Sequence, residues 1–268
     1  LAAEAVALAE ATHEIVTRRA DRGAAPQAEV LRARAALTQS RIEQSHLRAA
    51  YESRKMALAS LWGDTSPDFQ MLEGDLFQFG SSDNFVALYQ RVSDSPAIQI
   101  YASEQRIREA EIQLARSQSE SDIRWQVGIR RFEETDDTAL TAGLSVPLFS
   151  GRRNRGEVQA ALAARDEVQY RREDTLLRLH SRLFEAYRQR QQNIEAVEQI
   201  RGQMLPDLSD ALSQTREAYQ KGRYSYVEWT AAQRELLSAR QALVDAATMA
   251  LLNQALIEQL TAQPLAGR

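Results

Sequence analysis

The chain has 268 residues, no cysteine, 33 basic and 37 acidic residues, and a formal charge of −4. The lack of cysteine excludes disulfides and thiolate metal sites, and the near-balanced charge gives no reason to expect a nucleic-acid partner. Glycine and proline are sparse and aromatic residues make up only 7%, whereas 26% of the residues are charged. This composition is typical of long helices and coiled coils.

The first 62 residues are predicted to form a helical hairpin. Apolar or partly apolar side chains recur at spacings of three or four before residue 22: Val6, Ala9, His13 and Val16. The segment from Gly23 to Pro26 interrupts this pattern, with Pro26 expected in the first turn of a second helix over residues 27–62. Gly63 is expected to cap that helix. So short a connection predicts an antiparallel pair. The helical pattern is already under way at Leu1, so we expect the native helix to begin upstream.

Residues 63–95 differ in composition, with clustered Gly, Ser, Asp and Pro. They predict a mixed segment with short helical or irregular pieces, one of them over residues 84–92. Ser95 and Pro96 then begin a helix that is expected to run to about Ser121. Four apolar residues are its expected anchors: Ile100, Ile107, Ile112 and Leu114.

Beyond residue 122 the apolar residues alternate with polar or small ones, which predicts β-strands. The apolar positions of the first strand are Ile123, Trp125, Val127 and Ile129, and those of the second are Leu140, Ala142, Leu144 and Val146. The acidic segment 133–137 is predicted to be the turn between them. Such a two-faced pair is either a small hairpin packed on a helical domain or one hairpin of a membrane β-barrel, whose strands have about 9–11 residues.

From about Asn154 a helical pattern continues to Lys221, which corresponds to roughly 100 Å of helix at 1.5 Å per residue. Pro206 is expected to bend this helix without ending it. Gly222 turns the chain, and a last helix is predicted from about Ser225 to Thr261. Helices longer than a globular core requires lie directly beside the two-faced strands in sequence, and this favours the barrel interpretation. The predicted buried stripe of the long helix comprises Val158, Leu162, Val168, Leu183, Tyr187, Ile194, Val197, Leu208 and Leu212.

Two stretches whose first residues are 199 positions apart share one spaced pattern. The first is Gly23-x5-Glu29-Val30-x2-Ala33-x3-Leu37, and the second is Gly222-x5-Glu228-Trp229-x2-Ala232-x3-Leu236. An internal repeat of this kind predicts two helical hairpins that arose by duplication, each with its turn at the glycine. Both glycines are expected to end a helix with positive φ.

These motifs resemble the outer membrane factors of tripartite efflux systems, the TolC-like outer membrane efflux proteins, and within them the heavy-metal branch similar to CzcC and CusC. The motifs that carry the resemblance are Gly143-Leu-Ser-Val-Pro147-Leu-Phe-Ser-Gly151-x4-Gly156, Ala218-Tyr219-x2-Gly222-Arg-Tyr-Ser-Tyr-x-Glu228, Arg19-x3-Gly23-x5-Glu29-Val30 and Leu205-Pro206. The first two long helices, the first β-hairpin and the lipid-bearing cysteine of the family pattern have no counterpart here. We therefore expect a fragment, or the ordered part, of such a protein.

The resemblance implies a mainly α fold of long antiparallel coiled-coil hairpins with one amphipathic β-hairpin. Its expected segments are a first, truncated hairpin (1–62), an equatorial mixed segment (63–95), a helix leading to the barrel (96–122), a barrel hairpin (123–149) and a second coiled-coil hairpin (150–268). The apolar strand residues would face lipid, while Arg124, Gln126, Arg130, Thr141 and Ser145 would face a water-filled lumen.

The implied function is that of a passive exit duct for efflux of heavy-metal cations, with no catalysis, no cofactor and no tight metal site. The full-length family member is a homotrimer in the bacterial outer membrane with its helical part in the periplasm. Its partners would be a periplasmic adaptor, an inner-membrane RND pump and outer membrane lipid. Two other interpretations stay open at this point, a periplasmic adaptor and a structural coiled-coil protein without a transport role.

The resemblance also places candidate site residues at the two hairpin turns. Glu29, Tyr219 and Glu228 match gate positions, although both glutamates are equally explained as acids favoured in the first turn of a helix. A further set would either contact the adaptor or be solvated turn residues: Arg19, Arg22, Lys221, Arg223 and Tyr224. The three histidines, His13, His46 and His180, are scattered and predict no metal site.

Overall fold

A computed structural model describes residues 1–70, 72–80, 83–118, 123–132, 134, 137–146 and 154–265. Its helices are α1 (Ala2–Asp21), α2 (Gln27–Ser60), α3 (Phe85–Ser93), α4 (Pro96–Ser117), α5 (Arg155–Gln199), a π-helix (Ile200–Met204), α6 (Leu205–Gln220) and α7 (Tyr226–Thr261), and its strands are β1 (Arg124–Phe132) and β2 (Asp137–Ser145). The predicted mainly α fold with one β-hairpin is confirmed. No helix within the described ranges is both long and apolar enough to cross a membrane.

The chain divides into two compact units, one of residues 1–80 with 188–254 and the other of residues 81–187 with 255–268. The first unit has a cluster of buried apolar and aromatic side chains, Ile15, Val16, Ala33, Tyr219, Tyr226 and Trp229, and a second cluster around Val197, Ala246 and Ala247. The core of the second unit comprises Leu88, Val92, Leu183, Ala186, Ile257 and Leu265. In each unit the core consists of narrow apolar stripes from different helices, which is the usual packing of amphipathic helices.

The first predicted helical hairpin is present as α1 and α2. Pro26 is the N-cap of α2, with φ −73° and ψ 147°, and therefore precedes the first turn in which it was expected. Helix α2 ends at Ser60, and Gly63 follows with a φ of 80°. The amide of Asp64 donates to the carbonyl of Ala59 at 3.2 Å, so the predicted glycine cap is confirmed.

The long helical run from residue 155 to residue 220 continues past Pro206, as predicted. Proline has no amide hydrogen and cannot complete the hydrogen bond to the carbonyl four residues earlier. The preceding turn is widened, and the amide of Leu205 donates to the carbonyl of Ile200, five residues back. The π-helix therefore adapts the helix to the proline without interrupting it.

Helix α4 differs from the expectation in which of its apolar residues are buried. Ile112 is buried, but Ile100, Ile107 and Leu114 are 57–65% exposed. The spacing of these three residues is seven, so they form one stripe along the helix. Helix α5 has a similar exposed stripe of Tyr170, Leu177 and Phe184. We refer to these two sets as the α4 stripe and the α5 stripe.

Strands β1 and β2 pair antiparallel, from Arg124 opposite Ser145 to Phe132 opposite Asp137. Asp137 was expected in the turn but belongs to β2, because the ladder extends further toward the turn than the alternating apolar pattern does. Residues 133, 135 and 136 of the acidic turn lie outside the described residues, as do residues 119–122, into which α4 was expected to continue, and residues 147–153 after β2.

Leu183 and Leu177 on α5 differ in burial, and this difference allows a test of the core packing. Leu183 is 0% exposed and Leu177 is 70% exposed. We expect Leu183→Ala to lower the free energy of unfolding by about 2–5 kcal/mol, because it removes buried contacts and leaves a cavity. Leu177→Ala should change it by less than about 0.5 kcal/mol.

Urea denaturation of the 268-residue chain, followed by circular dichroism at 222 nm, measures both values. Equal destabilisation by the two substitutions would contradict the described packing of α5.

Candidate functional site

The two hairpin turns have the same backbone geometry. Gly23 has a φ of 71°, and the amide of Ala24 donates to the carbonyl of Arg19 at 2.8 Å. Gly222 has a φ of 73°, and the amide of Arg223 donates to the carbonyl of Ala218, also at 2.8 Å. This six-to-one bond with glycine in the left-handed region is the Schellman helix ending. The repeat in the sequence therefore corresponds to a repeat in the backbone.

Arg19, near the end of α1, connects the first turn to the second. Its Nη1 donates to the carbonyls of Tyr219 and Gln220 at 2.7 and 2.6 Å, and its Nη2 donates to the carbonyl of Ala24 at 3.0 Å. The carbonyls at the end of α6 have no partner within the helix and carry its negative partial charge, so a guanidinium is well suited to them. The guanidinium carbon also lies 4.6 Å from the centre of the Tyr219 ring.

Tyr219 joins the two hairpins through its side chain. It is 2% exposed, and its hydroxyl donates to the Glu29 carboxylate at 2.7 Å. Its ring stacks on that of Trp229, with centroids 4.9 Å apart. Burial raises the pKa of Tyr219 well above its ordinary value, and the hydrogen bond to Glu29 raises it further. The hydroxyl therefore keeps its proton and acts as a donor.

Glu228 occupies the matching position in the repeat but has a different partner. Its carboxylate accepts hydrogen bonds from the amide of Ser225 at 2.7 Å and from the Ser225 hydroxyl at 2.9 Å. This is a capping box at the start of α7, and the Ser225 amide bond holds the pKa of Glu228 below its ordinary value. The residue matching Ser225 is Pro26, which has neither an amide hydrogen nor a hydroxyl. The carboxylate of Glu29 is therefore available to Tyr219.

The other predicted tip residues lie at the surface. Arg22, Arg223 and Tyr224 are exposed, and Tyr224 retains 47% of its accessible surface. Lys221 is exposed and pairs with Glu217 one turn earlier, which lowers the pKa of the Glu217 carboxyl. Of the predicted set, Arg19, Glu29 and Tyr219 are thus brought together, whereas Glu228 and these exposed residues remain outside that contact.

Two polar features of the first unit, the Ser225 cap and a buried pair of side chains, were not predicted. Ser225 completes a Ser-x-x-Glu capping box, a signal that is present in the sequence. Thr12 and Gln233 are both buried, and the Gln233 amide donates to the Thr12 hydroxyl at 2.7 Å, which links α1 to α7. Their positions follow no short motif, so only the packing of the helices identifies this pair.

The strand pair has its apolar residues opposite one another. The register sets Trp125 against Leu144, Val127 against Ala142 and Ile129 against Leu140, so these side chains share one face. They are highly exposed: 76% for Trp125, 75% for both Ile129 and Leu140, and 71% for Leu144. Ile123 and Val146, at the ends of the predicted lipid-facing set, are 63% and 44% exposed. The opposite face pairs Arg124 with Ser145, Gln126 with Gly143, Gly128 with Thr141 and Arg130 with Ala139.

No group of three or more His, Asp or Glu side chains converges on a potential metal position in the described part of the chain. His180 lies instead among aromatic rings, with its ring centre 4.8 Å from that of Tyr89 and 5.2 Å from that of Phe85. The candidate site therefore consists of two contact features. One is the set of hydrogen bonds that joins the two turns, and the other is the exposed apolar face of the strand pair.

The hydrogen bond between Tyr219 and Glu29 gives a testable pH dependence. We expect Tyr219→Phe to lower the free energy of unfolding by about 1.5–3 kcal/mol near neutral pH, because it removes a hydrogen bond to a charged acceptor. The folded-state pKa of Tyr219 is raised. Its contribution is therefore complete below about pH 10, the unfolded-state pKa of tyrosine, and declines as the pH rises toward the folded-state pKa.

Melting temperatures between pH 7 and pH 11.5 should accordingly converge for the wild type and Tyr219→Phe at the alkaline end. Tyr224→Phe is the matched control, since Tyr224 is exposed and should behave like the wild type at every pH. A difference between wild type and Tyr219→Phe that stays constant across this range would contradict the contribution of the neutral hydroxyl.

Comparison with known proteins gives a consistent family. Residues 87–263 match the family described as outer membrane efflux protein. The cobalt-zinc-cadmium resistance protein CzcC of Cupriavidus metallidurans is 25% identical over 227 residues, which is 85% of this chain and 54% of CzcC.

Solved structures share the fold. One of them is a structure of CusC that concerns conformational changes accompanying folding and transmembrane channel formation. It superposes with a TM-score of 0.78 at 19% identity, and the match covers 97% of this chain and 63% of the CusC chain. The outer membrane protein VceC of Vibrio cholerae has a TM-score of 0.73 at 18% identity, and the match covers 98% of this chain and 65% of the VceC chain. The chain thus spans only part of the length of these relatives, about half in the case of CzcC. Because the family match extends over most of the 268 residues, the chain belongs to the outer membrane efflux protein family.

Proposed function

We propose that the chain is part of the outer membrane channel of a tripartite efflux system and acts as a passive exit duct for heavy-metal cations. The observation that carries this proposal is the uncovered apolar face of the strand pair. Large exposed apolar faces are rare on proteins surrounded by water and are typical of membrane or protein contacts. Lipid is an environment that would cover Trp125, Ile129, Leu140 and Leu144 at once.

The dimensions of the strands support a membrane location. Each has nine residues, within the range of about 9–11 that a tilted transmembrane strand needs. Transmembrane strands alternate lipid-facing apolar residues with lumen-facing polar ones. The two faces of this pair alternate in the same way, with the apolar set outward and Arg124, Gln126, Arg130, Thr141 and Ser145 toward the lumen. Three copies of the complete protein would close the barrel in the bacterial outer membrane, and the helices would lie in the periplasm.

The exposed apolar stripes on α4 and α5 support assembly through the helices. A spacing of seven residues is the repeat with which helices pack in coiled coils. Each stripe has three large apolar side chains along one side of its helix, and each lies outside the core cluster of its unit. Neighbouring helices in a tunnel wall built from three copies would cover them.

The hairpin tips would form the periplasmic end that contacts the adaptor. Arg22, Lys221, Arg223 and Tyr224 are exposed there and supply hydrogen-bond donors and positive charge. Arg19 holds the two turns together, so its role would be to fix the shape of that surface. Glu29, Tyr219 and Glu228 would serve at a gate, with the Tyr219–Glu29 bond holding the hairpins in one arrangement and Glu228 adding a carboxylate that attracts cations.

The cargo and partners follow from the similarity to CzcC, whose name states resistance to cobalt, zinc and cadmium. By this similarity the exported species would be heavy-metal cations. The duct would operate with a periplasmic adaptor and an inner-membrane RND pump that supplies the energy, and no catalytic step would be carried out by this chain.

Two adjacent residues on opposite faces of β2 test the membrane assignment. Leu144 is in the apolar set and Ser145 is in the polar set, and both are exposed. We expect Leu144→Asp in the protein from the complete coding sequence to lower recovery in the outer membrane fraction, because a carboxylate on the lipid side of a barrel strand is destabilising. Ser145→Asp should be recovered like the wild type.

The function is tested by metal resistance in a host that lacks its own efflux channels. Co-expression with the periplasmic adaptor and inner-membrane pump of a heavy-metal efflux system should raise the tolerated concentrations of cobalt, zinc and cadmium for the wild type and Ser145→Asp, and less for Leu144→Asp. If all three proteins confer no resistance to metals, the metal-efflux function is wrong. If Leu144→Asp assembles and functions normally, the lipid-facing assignment is wrong.

A further inference from the structure

The polar face of the strand pair has an uneven distribution of charge. Arg124 and Arg130 lie on it, and both are exposed. Neither strand has an Asp or Glu within residues 124–130 or 139–145. The acidic residues of the hairpin, Glu133, Glu134, Asp136 and Asp137, are all at its turn end. Most of the polar face is therefore positive or neutral.

Among the ion pairs of the described residues, none involves Arg124 or Arg130. Their direct cross-strand neighbours are Ser145 and Ala139, and the nearest acidic position of β2 on this face is Asp137, two residues from Ala139 at the turn end. Two polar side chains lie between the arginines on this face. The Thr141 hydroxyl donates to the carbonyl of Gly128 at 3.0 Å, and Gln126 lies so close to Gly143 that a Cβ there would be 3.0 Å from its Nε2.

We propose that this polar face makes the pore selective for anions, with Arg124 and Arg130 as the residues that determine selectivity. The inference rests on the proposed function, since the face lines a pore only if the strands form part of a barrel. Arginine stays protonated at any physiological pH, so the charge is permanent. Rings of Arg or Lys are a known means of favouring anions in water-filled pores.

The geometry gives each arginine a separate effect. Arg130 lies six residue steps along the strand from Arg124, which corresponds to about 20 Å at 3.3 Å per step. This exceeds the Debye length of about 8–10 Å at 0.1–0.15 M salt, so each position would act on ions that pass close to it. In a trimer each position would form a ring of three positive charges.

This selectivity restricts the form in which metal would pass. A bare divalent cation would be repelled at both rings. Heavy-metal ions bound to chloride or to carboxylate ligands with a net negative charge would be attracted. The chemical class that this segment favours is therefore the small anion, including anionic metal complexes.

Reversal potentials in planar lipid bilayers test the proposal. The protein from the complete coding sequence is reconstituted and measured across a tenfold KCl gradient. We expect chloride to be about threefold or more as permeant as potassium at low salt, because a charged channel wall produces local potentials of several kT. The preference should decrease as the salt concentration rises. The double variant Arg124→Gln/Arg130→Gln should reduce the permeability ratio to about one, while single variants should give intermediate values.

Arg131→Gln is the matched control. This substitution removes the same charge from the same strand, but residue 131 lies on the face opposite to that of Arg124 and Arg130. It should leave the permeability ratio at the wild-type value. A wild-type pore that prefers potassium, or a ratio unchanged in the double variant, overturns the selectivity while leaving the channel function in place. If neither the wild type nor Tyr219→Phe, which lacks the hydrogen bond proposed to hold the gate, conducts ions, the channel function is overturned, and the selectivity with it.

Discussion

The structure depends on one constraint, that each long helix buries only a narrow stripe and must be held beside another helix to stay folded. The glycine turns meet this constraint locally, because a Schellman ending reverses the chain within a few residues. They do not by themselves set one hairpin against the other. Arg19 and Tyr219 make that contact. Arg19 donates to carbonyls of the second turn and lies against the Tyr219 ring. Tyr219 donates to the carboxylate of the first hairpin and stacks on Trp229. These hydrogen bonds and the aromatic cluster lie together at the ends of the helices, where frayed turns would otherwise expose backbone groups.

Features that arise from local chemistry were predictable from the sequence. Gly23 and Gly222 signal helix endings whatever surrounds them, and the alternation around Trp125 and Leu144 predicts both the strands and the face they share. The fate of Pro206 was also predictable, because the apolar pattern resumes directly after it. The helical pattern around Ile107 predicts an amphipathic helix, but periodicity cannot state which neighbour covers its stripe. The core uses a different side of that helix, so Ile107 is exposed within this chain.

The two glutamates show why a repeat predicts backbone geometry better than side-chain function. Glu29 and Glu228 occupy equivalent positions after equivalent turns, and the sequence motif gives no reason to expect different partners for them. Their partners differ because one residue of each turn has diverged: Ser225 can cap a helix and Pro26 cannot. The backbone geometry of a duplicated turn is preserved as long as its glycine remains. The hydrogen-bond partner of a carboxylate depends on which donors lie close to it. The same divergence leaves Glu29 half-buried against the second hairpin and Glu228 exposed.

The π-helix at residues 200–204 has a consequence for how this protein can change during evolution. Upstream of it, Val197 packs with Ala246 and Ala247 of α7, and downstream, Leu212 and Tyr219 pack near Trp229 of the same helix. One residue gained or lost between these contacts would rotate every later side chain by about 100° around the helix axis. Packing on both sides therefore fixes the number of residues more strictly than their identity. Substitutions should accumulate in this segment, while insertions and deletions should be confined to the turns.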